Sequence, residues 1–164
     1  MWQKDQYLGE VALQVPGRHN VLNALATIAV ALELGVDFAE TAAALAAFQG
    51  VQRRFQRYYF GPEGVVVDDY AHHPREIEAT LEAARSSAGK QRITVVFQPH
   101  RYSRTALLFD EFVHAFKEAD RVCVVDIYAA GEEPRPGVTS AKLVQAMRQA
   151  GYNNVCYISD KNSV

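Results

Sequence analysis

The sequence predicts an α/β fold: a mostly parallel sheet with one antiparallel strand and helices on both faces. Three observations predict it. β-branched apolar runs at 65–67, 93–97, 122–127 and 155–158 alternate with stretches of helical spacing, the order that builds parallel strands through crossover helices. A Tyr58-Tyr59-Phe60 run turns at Gly61-Pro62-Glu63-Gly64 into the run at 65–67, so those two strands pair as an antiparallel hairpin. Two of the apolar runs stop at polar clusters, Asp68-Asp69-Tyr70-Ala71-His72-His73 and Gln98-Pro99-His100-Arg101-Tyr102-Ser103-Arg104. The carboxyl ends of strands are where open α/β sheets bind ligands.

The 164 residues are 49% hydrophobic and 22% charged, with a formal net charge of -2. This is ordinary soluble composition and gives no sign of nucleic-acid binding. No apolar run approaches the roughly 18 residues that span a bilayer, and no apolar core follows the first residues as in a signal peptide. A cytoplasmic address is expected. Cys123 and Cys156 lie inside apolar runs without C-x-x-C spacing, which reads as two buried, inert thiols.

In chain order, 11–15 reads as a short strand ending at Pro16-Gly17. A helix follows, entered through Arg18-His19-Asn20 and ending at residue 34, with Gly35 as a typical terminator. Leu25, Ile28, Ala29 and Leu32 give its apolar stripe. Asn20 and Asn23 fall in its first turn, where asparagine serves as a cap or as a ligand contact. A second helix opens with Asp37 and Glu40 at capping-box spacing and shows Phe38, Ala42, Leu45 and Phe48 on one face. From Gly50 the character changes: Gln52-Arg53-Arg54-Phe55-Gln56-Arg57 is basic and leads into the hairpin.

Val65-Val66-Val67 reads as a buried strand. Pro74 suits a first helical position, where its missing N–H costs nothing, and Ile77, Leu81, Ala84 and Ala88 continue with helical period. The helix after 98–104 carries Leu107, Leu108, Phe112 and Phe116. The last helix spans 140–150, after a loop at 130–137. His100, Arg101 and Arg104 share a sheet edge with Asp69 and His72. Arginine's planar fork suits carboxylate or phosphate, and cations at a helix start oppose the macrodipole, which argues for a bound anion there. Asp68, Asp69, His72 and His73 read as a hydrogen-bonded network or, alternatively, as metal ligands, although no further spaced ligand set supports a metal. There is no G-x-x-x-x-G-K-[ST] or G-x-G-x-x-G pattern, so a phosphate cradle for any nucleotide must come from outside this chain.

Four motifs carry a resemblance. Arg18-His19-Asn20-Val21-Leu22-Asn23-Ala24-Leu25-Ala26, Arg53-Arg54-Phe55, Asp68-Asp69-Tyr70-Ala71-His72-His73-Pro74 and Gln98-Pro99-His100-Arg101-Tyr102-Ser103-Arg104-Thr105 resemble, in order and spacing, the back half of a Mur ligase. The resemblance implies that 1–50 is the C-terminal tail of a central ATP-binding domain. It likewise implies that 51–164 is the Rossmann-like C-terminal domain, cut short of a further helix, strand and turn beyond Ser159-Asp160. A fragment is therefore expected, inactive alone, whose partners include the missing N-terminal and central domains.

The implied activity is ATP-dependent, with Mg²⁺ bound mainly by the missing central domain. UDP-N-acetylmuramate is phosphorylated to an acyl phosphate, and the amine of L-alanine attacks it to give an amide, ADP and phosphate. Asn20, Asn23, Arg54 and Asp69 are implied to bind the nucleotide, with Asn20 at adenine, Arg54 at the phosphates and Asp69 at the ribose. Tyr70, His72, His100, Arg101 and Arg104 are implied to surround L-alanine, with His72 and Arg54 catalytic. A relative that adds a recycled peptide is the nearest alternative. A stand-alone nucleotide-binding module and a metal phosphoesterase built on Asp68, Asp69, His72 and His73 are the others.

Overall fold

The computed structural model describes residues 1–159. The chain divides into two compact units, Met1–Tyr70 and Ala71–Val164. The division falls between Tyr70 and Ala71, inside the Asp-Tyr-Ala-His motif.

The first unit opens with a small antiparallel hairpin, β1 (Trp2–Gln3) and β2 (Gln6–Tyr7). The segment at 11–15 is not a strand. Its residues alternate between half-buried and exposed as an extended chain does, but no neighbouring strand pairs with it among the described residues. Helix α1 (Arg18–Glu33) ends as read, with Gly35 in the left-handed region at φ 81°. Its buried residues are Ala24 and Ile28, with Ala31 and Leu32 half-buried. The stripe is therefore rotated from the expected one, and Leu25 is exposed.

Helix α2 (Phe38–Ala47) is capped by Asp37, whose carboxylate accepts from Ala39 N–H at 2.8 Å. Phe48 lies beyond its end and is exposed. Strands β3 (Gln56–Gly61) and β4 (Gly64–Asp68) form the expected antiparallel hairpin, with a register shift between Arg57 and Tyr59. They make a separate two-stranded sheet among the described residues. Val65 and Val66 are consequently exposed rather than buried. A β-branched run specifies a strand, but its burial needs a layer against each face.

The second unit holds the parallel sheet, in the order β5 (Thr94–Phe97), β6 (Arg121–Val125) and β7 (Val155–Ile158). Helix α3 (Pro74–Ala88) precedes it and α6 (Ser140–Gln149) joins β6 to β7. Between β5 and β6 the expected single helix is two short ones, α4 (Tyr102–Leu107) and α5 (Phe109–His114), broken at Leu108. The break turns Leu107 outward, leaving it 83% exposed, while Phe112 and Phe116 are buried.

Val122 to Val125 of β6 are all buried, so both faces of this central strand are covered. Val122 and Val124 belong to a core that gathers Phe97, Ile77 and Leu81 of α3, Phe112, Phe116, and Leu143 and Met147 of α6. The Phe97 ring lies 5.5 Å from that of Phe112 and 5.1 Å from that of Phe116. Cys123 and Cys156 are register partners on β6 and β7 with their sulfurs 3.2 Å apart. Cys123 is buried as expected, whereas Cys156 on the outer strand is only half-buried. Burial pushes the Cys123 thiol pKa up, and the neighbouring Cys156 adds to it.

Arg85 ties the far end of this unit together, donating to Gly89 O, Gln91 O, Glu118 O and the Asp120 carboxylate. No helix among the described residues is long and apolar enough to cross a membrane. The elements expected beyond Ser159-Asp160 concern positions outside the described residues.

Candidate ligand-binding site

The expected site residues fall into two groups, one in each unit. In the first unit, Asn20 does not cap α1. The N-cap is Gly17, and the Asn20 side-chain amide reaches back to donate to Pro16 O at 2.7 Å. Asn23 lies one turn further on, with its side chain exposed and its carbonyl accepting from Thr27.

Arg54 sits in a tight turn flanked by two non-glycine residues in the left-handed region, Arg53 at φ 57° and Phe55 at φ 50°. Such angles cost about 1–3 kcal/mol each and persist only where the surroundings hold them. Here Asp69 does so, its Oδ2 accepting the Phe55 N–H at 2.8 Å, while Tyr70 N–H donates to Arg53 O at 2.7 Å. The guanidiniums of Arg53 and Arg54 stand 4.7 and 5.8 Å from the centroid of the Tyr70 ring, within cation–π range. Arg54, Asp69 and Tyr70 are thus drawn together by the base of the hairpin, and Asp68 forms an exposed ion pair with Arg53 at 3.7 Å.

In the second unit, the start of α3 organises the histidines. His73 is its N-cap, with Nδ1 accepting from Arg75 N–H at 3.3 Å. Glu76 Oε2 accepts from the N–H groups of His72 and His73 at 3.0 and 3.1 Å. The reciprocal capping box expected at α2 occurs here. His73 is therefore committed to the backbone, while the His72 ring faces that of His100 at 6.4 Å between centroids.

His100 lies beyond the end of β5 and pairs with Tyr128 as an isolated parallel bridge outside the ladder. Arg101 N–H donates to Tyr128 O and Tyr128 N–H to Pro99 O, both at 2.8 Å. Arg104 reaches back one turn, its Nη1 standing 3.2 Å from His100 Nδ1. A guanidinium can only donate, so Nδ1 accepts and the neutral ring carries its proton on Nε2. Desolvation, then Arg104 and Arg101, hold the His100 pKa below the usual histidine value, which keeps the ring neutral.

Arg101 is exposed and occupies an unusual backbone position, φ 74° and ψ 136°. The Thr105 backbone N–H and buried hydroxyl both donate to its carbonyl, at 3.1 and 2.8 Å. Backbone strain concentrated between two arginines and a neutral imidazole is a common mark of a binding site.

Sequence reasoning missed one residue of this cluster. Glu132, in the loop after β6, accepts from Ser103 Oγ at 2.5 Å and from Ser103 N–H at 2.8 Å. An internal carboxylate thus stands at the start of α4, hydrogen-bonded to Ser103. Nothing local distinguishes Glu132 from the adjacent Glu133, and its partner lies 29 residues away.

Parallel strands whose carboxyl ends carry arginines and a neutral histidine define an α/β domain suited to an anionic ligand. The family to which it belongs is shown by direct comparison. Residues 53–164 match the family described as Mur ligase, glutamate ligase domain, and the chain belongs to the Mur ligase family.

A UDP-N-acetylmuramate–L-alanine ligase of Syntrophotalea carbinolica is 53% identical over 99% of this chain, which covers 35% of that enzyme. One from Geotalea uraniireducens is 53% identical over 98% of this chain and 35% of its own length. The crystal structure of a UDP-N-acetylmuramate–alanine ligase from Thermotoga maritima is 34% identical with a TM-score of 0.79, over 96% of this chain and 33% of that one. A murein peptide ligase from Psychrobacter arcticus is 26% identical with a TM-score of 0.63, over 93% and 31%. The chain spans about a third of the length of the curated relatives it matches.

Proposed function

We propose that this chain is part of an ATP-dependent ligase that joins L-alanine to UDP-N-acetylmuramate in peptidoglycan synthesis. The observation that carries the reading is the His100, Arg101 and Arg104 cluster, in a chain about half identical along its whole length to ligases bearing that name. The lower identity to the murein peptide ligase, 26% against 34% for the alanine ligase structure, supports ranking the recycled-peptide reading second.

In this reading residues 1–50 complete a central ATP-binding domain and 51–164 form the C-terminal domain. The reaction runs in the cytoplasm, where ATP is supplied. Arg101, exposed and unpaired through its guanidinium among the described residues, takes the carboxylate of L-alanine. Arg104 is partly engaged by His100 and sets that ring so that Nε2–H donates toward the same carboxylate. Within the second unit His72, whose ring faces that of His100, completes the pocket.

Arg54 meets the negative charge of the ATP phosphates and Asp69 the ribose, with Asn20 and Asn23 at the adenine; the catalytic roles fall to Arg54 in the first unit and His72 in the second. The donor types suit this division, since a planar cation matches phosphate and a carboxylate matches hydroxyls. Among the described residues no group of three or more His, Cys, Asp or Glu side chains could hold a metal ion. The Mg²⁺ that the family's chemistry implies would be held mainly by the central domain, beside the ATP phosphates.

The test is amide formation by the intact ligase containing this chain. L-alanine and UDP-N-acetylmuramate should support stoichiometric ADP release. A preference for a tripeptide over L-alanine would move the assignment to the peptide-recycling relatives.

A further inference from the structure

The segment that carries His100, Arg101 and Arg104 is held from outside itself. The N-cap residue of α4 is Arg101, which makes no side-chain cap, so the helix start must find its acceptors elsewhere. The loop after β6 supplies them. Tyr128 pairs with Pro99 and Arg101 through two backbone hydrogen bonds of 2.8 Å, and its ring lies 5.4 Å from that of His100.

A tight turn follows, with Ala130 at φ 51°, Gly131 at φ 85° and Glu132 N–H donating to Ala129 O. The turn brings Glu132 back so that its two oxygens grip the hydroxyl and the N–H of Ser103 at 2.5 and 2.8 Å. Ser103 lies between Arg101 and Arg104, directly before the latter. A bidentate carboxylate at that point fixes both the axis of the short helix and the strained backbone of Arg101.

We propose that Glu132 is a positioning residue for amino-acid recognition: through Ser103 it sets the bearing of His100, Arg101 and Arg104, without itself touching the substrate. The inference rests on the reading of that cluster as the L-alanine pocket. The two hydrogen bonds from Ser103 hold the Glu132 pKa below the usual carboxylate range, so it stays ionised where the enzyme works. Glutamine is the informative conservative replacement. Its carbonyl can accept the Ser103 N–H while its NH₂ donates to the hydroxyl, which keeps the grip and removes the charge.

The experiment is steady-state kinetics on the intact ligase with Glu132→Ala, Glu132→Gln, Ser103→Ala and Arg101→Ala. Glu132→Ala should raise the KM for L-alanine about tenfold or more, since small misplacements of binding groups are costly. The KM for ATP and kcat should stay within about twofold of the parent. Glu132→Gln should restore most of the L-alanine KM, and Ser103→Ala should fall between.

An unchanged L-alanine KM in Glu132→Ala, with a raised one in Arg101→Ala, overturns the role of Glu132 alone. An unchanged value in Arg101→Ala overturns the pocket reading itself. Equal losses in every parameter would make Glu132 merely structural and also overturn the inference. Should Glu132→Ala fail to fold, Ser103→Ala decides: a selective rise in the L-alanine KM supports the proposal and no rise refutes it.

Discussion

Arg101 offers the sharpest separation of backbone from side chain. Its φ of 74° with ψ of 136° is costly for any residue with a Cβ, about 1–3 kcal/mol. Arg101→Ala keeps the Cβ and hence the strain, and removes only the guanidinium. A hydrogen bond to a charged group contributes about 1.5–3 kcal/mol, and each 1.4 kcal/mol is about a factor of ten in affinity. Arg101 is exposed before substrate arrives, so solvent screening favours the lower end. The L-alanine KM should therefore rise about tenfold to thirtyfold, with the ATP KM and the melting temperature nearly unchanged.

Arg101→Gly is the companion variant. It should show the same KM defect but greater thermal stability, because glycine adopts this backbone without penalty. The assays are ADP release at varied L-alanine and a thermal melt. If Arg101→Ala lost stability but kept its L-alanine KM, Arg101 would be structural and the carboxylate assignment wrong.

Other outcomes follow from the packing and the ionisable groups. Phe116→Ala should cost about 3–5 kcal/mol by denaturant titration, because Phe116 is wholly buried against Phe97, whereas Leu107→Ala should stay within about 0.5 kcal/mol. Asp69→Ala removes the acceptor for Phe55 N–H and should cost about 1–3 kcal/mol, while also weakening ATP binding if Asp69 meets the ribose.

The pKa of Asp120 is lowered by the Ile93 N–H and by Arg85, and that of Glu132 by Ser103. Their stabilisation is present above the unfolded values of about 4 and is lost as pH falls through the lower folded ones. Asp120→Asn should therefore flatten the acid limb of a stability profile measured by melting at stepped pH. His100 works the same way in a higher window: its folded pKa is depressed, so stability declines as pH falls below about 6.5, and His100→Gln should remove that slope.

The second unit was legible because its signals are local. Pro74 at a first helical position, the helical period of Ile77 and Leu81, and the strand at β7 each specify their element without help from distant residues. The polar ends of the strands were legible for the same reason. What the sequence hid depends on partners far along the chain. Val65 and Val66 have the composition of core residues, but whether a second layer covers them is decided by other segments. The rotation of the α1 stripe onto Ala24 and Ile28 reflects which face meets a neighbour, and α1 is apolar on more than one side. Glu132 and Arg85 act across 29 to 35 residues of sequence, where periodicity carries no information. The cap reading of Asn20 failed because asparagine can satisfy the backbone either forward, as a cap, or backward, as it does here to Pro16.

The central claim of the proposal is that Arg101 directly, and Arg104 through His100, read the carboxylate of an amino acid. It is tested most directly by comparing L-alanine with L-alaninamide in the intact ligase and in the Arg101→Ala, Arg104→Ala double variant. The amide keeps the nucleophilic amine and the methyl group but lacks the negative charge. The parent enzyme should prefer L-alanine by about a hundredfold or more in kcat/KM, since a site built for a buried polar partner rejects the analogue lacking it. In the double variant that preference should collapse to within a few-fold, through loss of activity on L-alanine rather than gain on the amide. A double variant that still discriminated as strongly as the parent would contradict the claim and place carboxylate recognition on other residues.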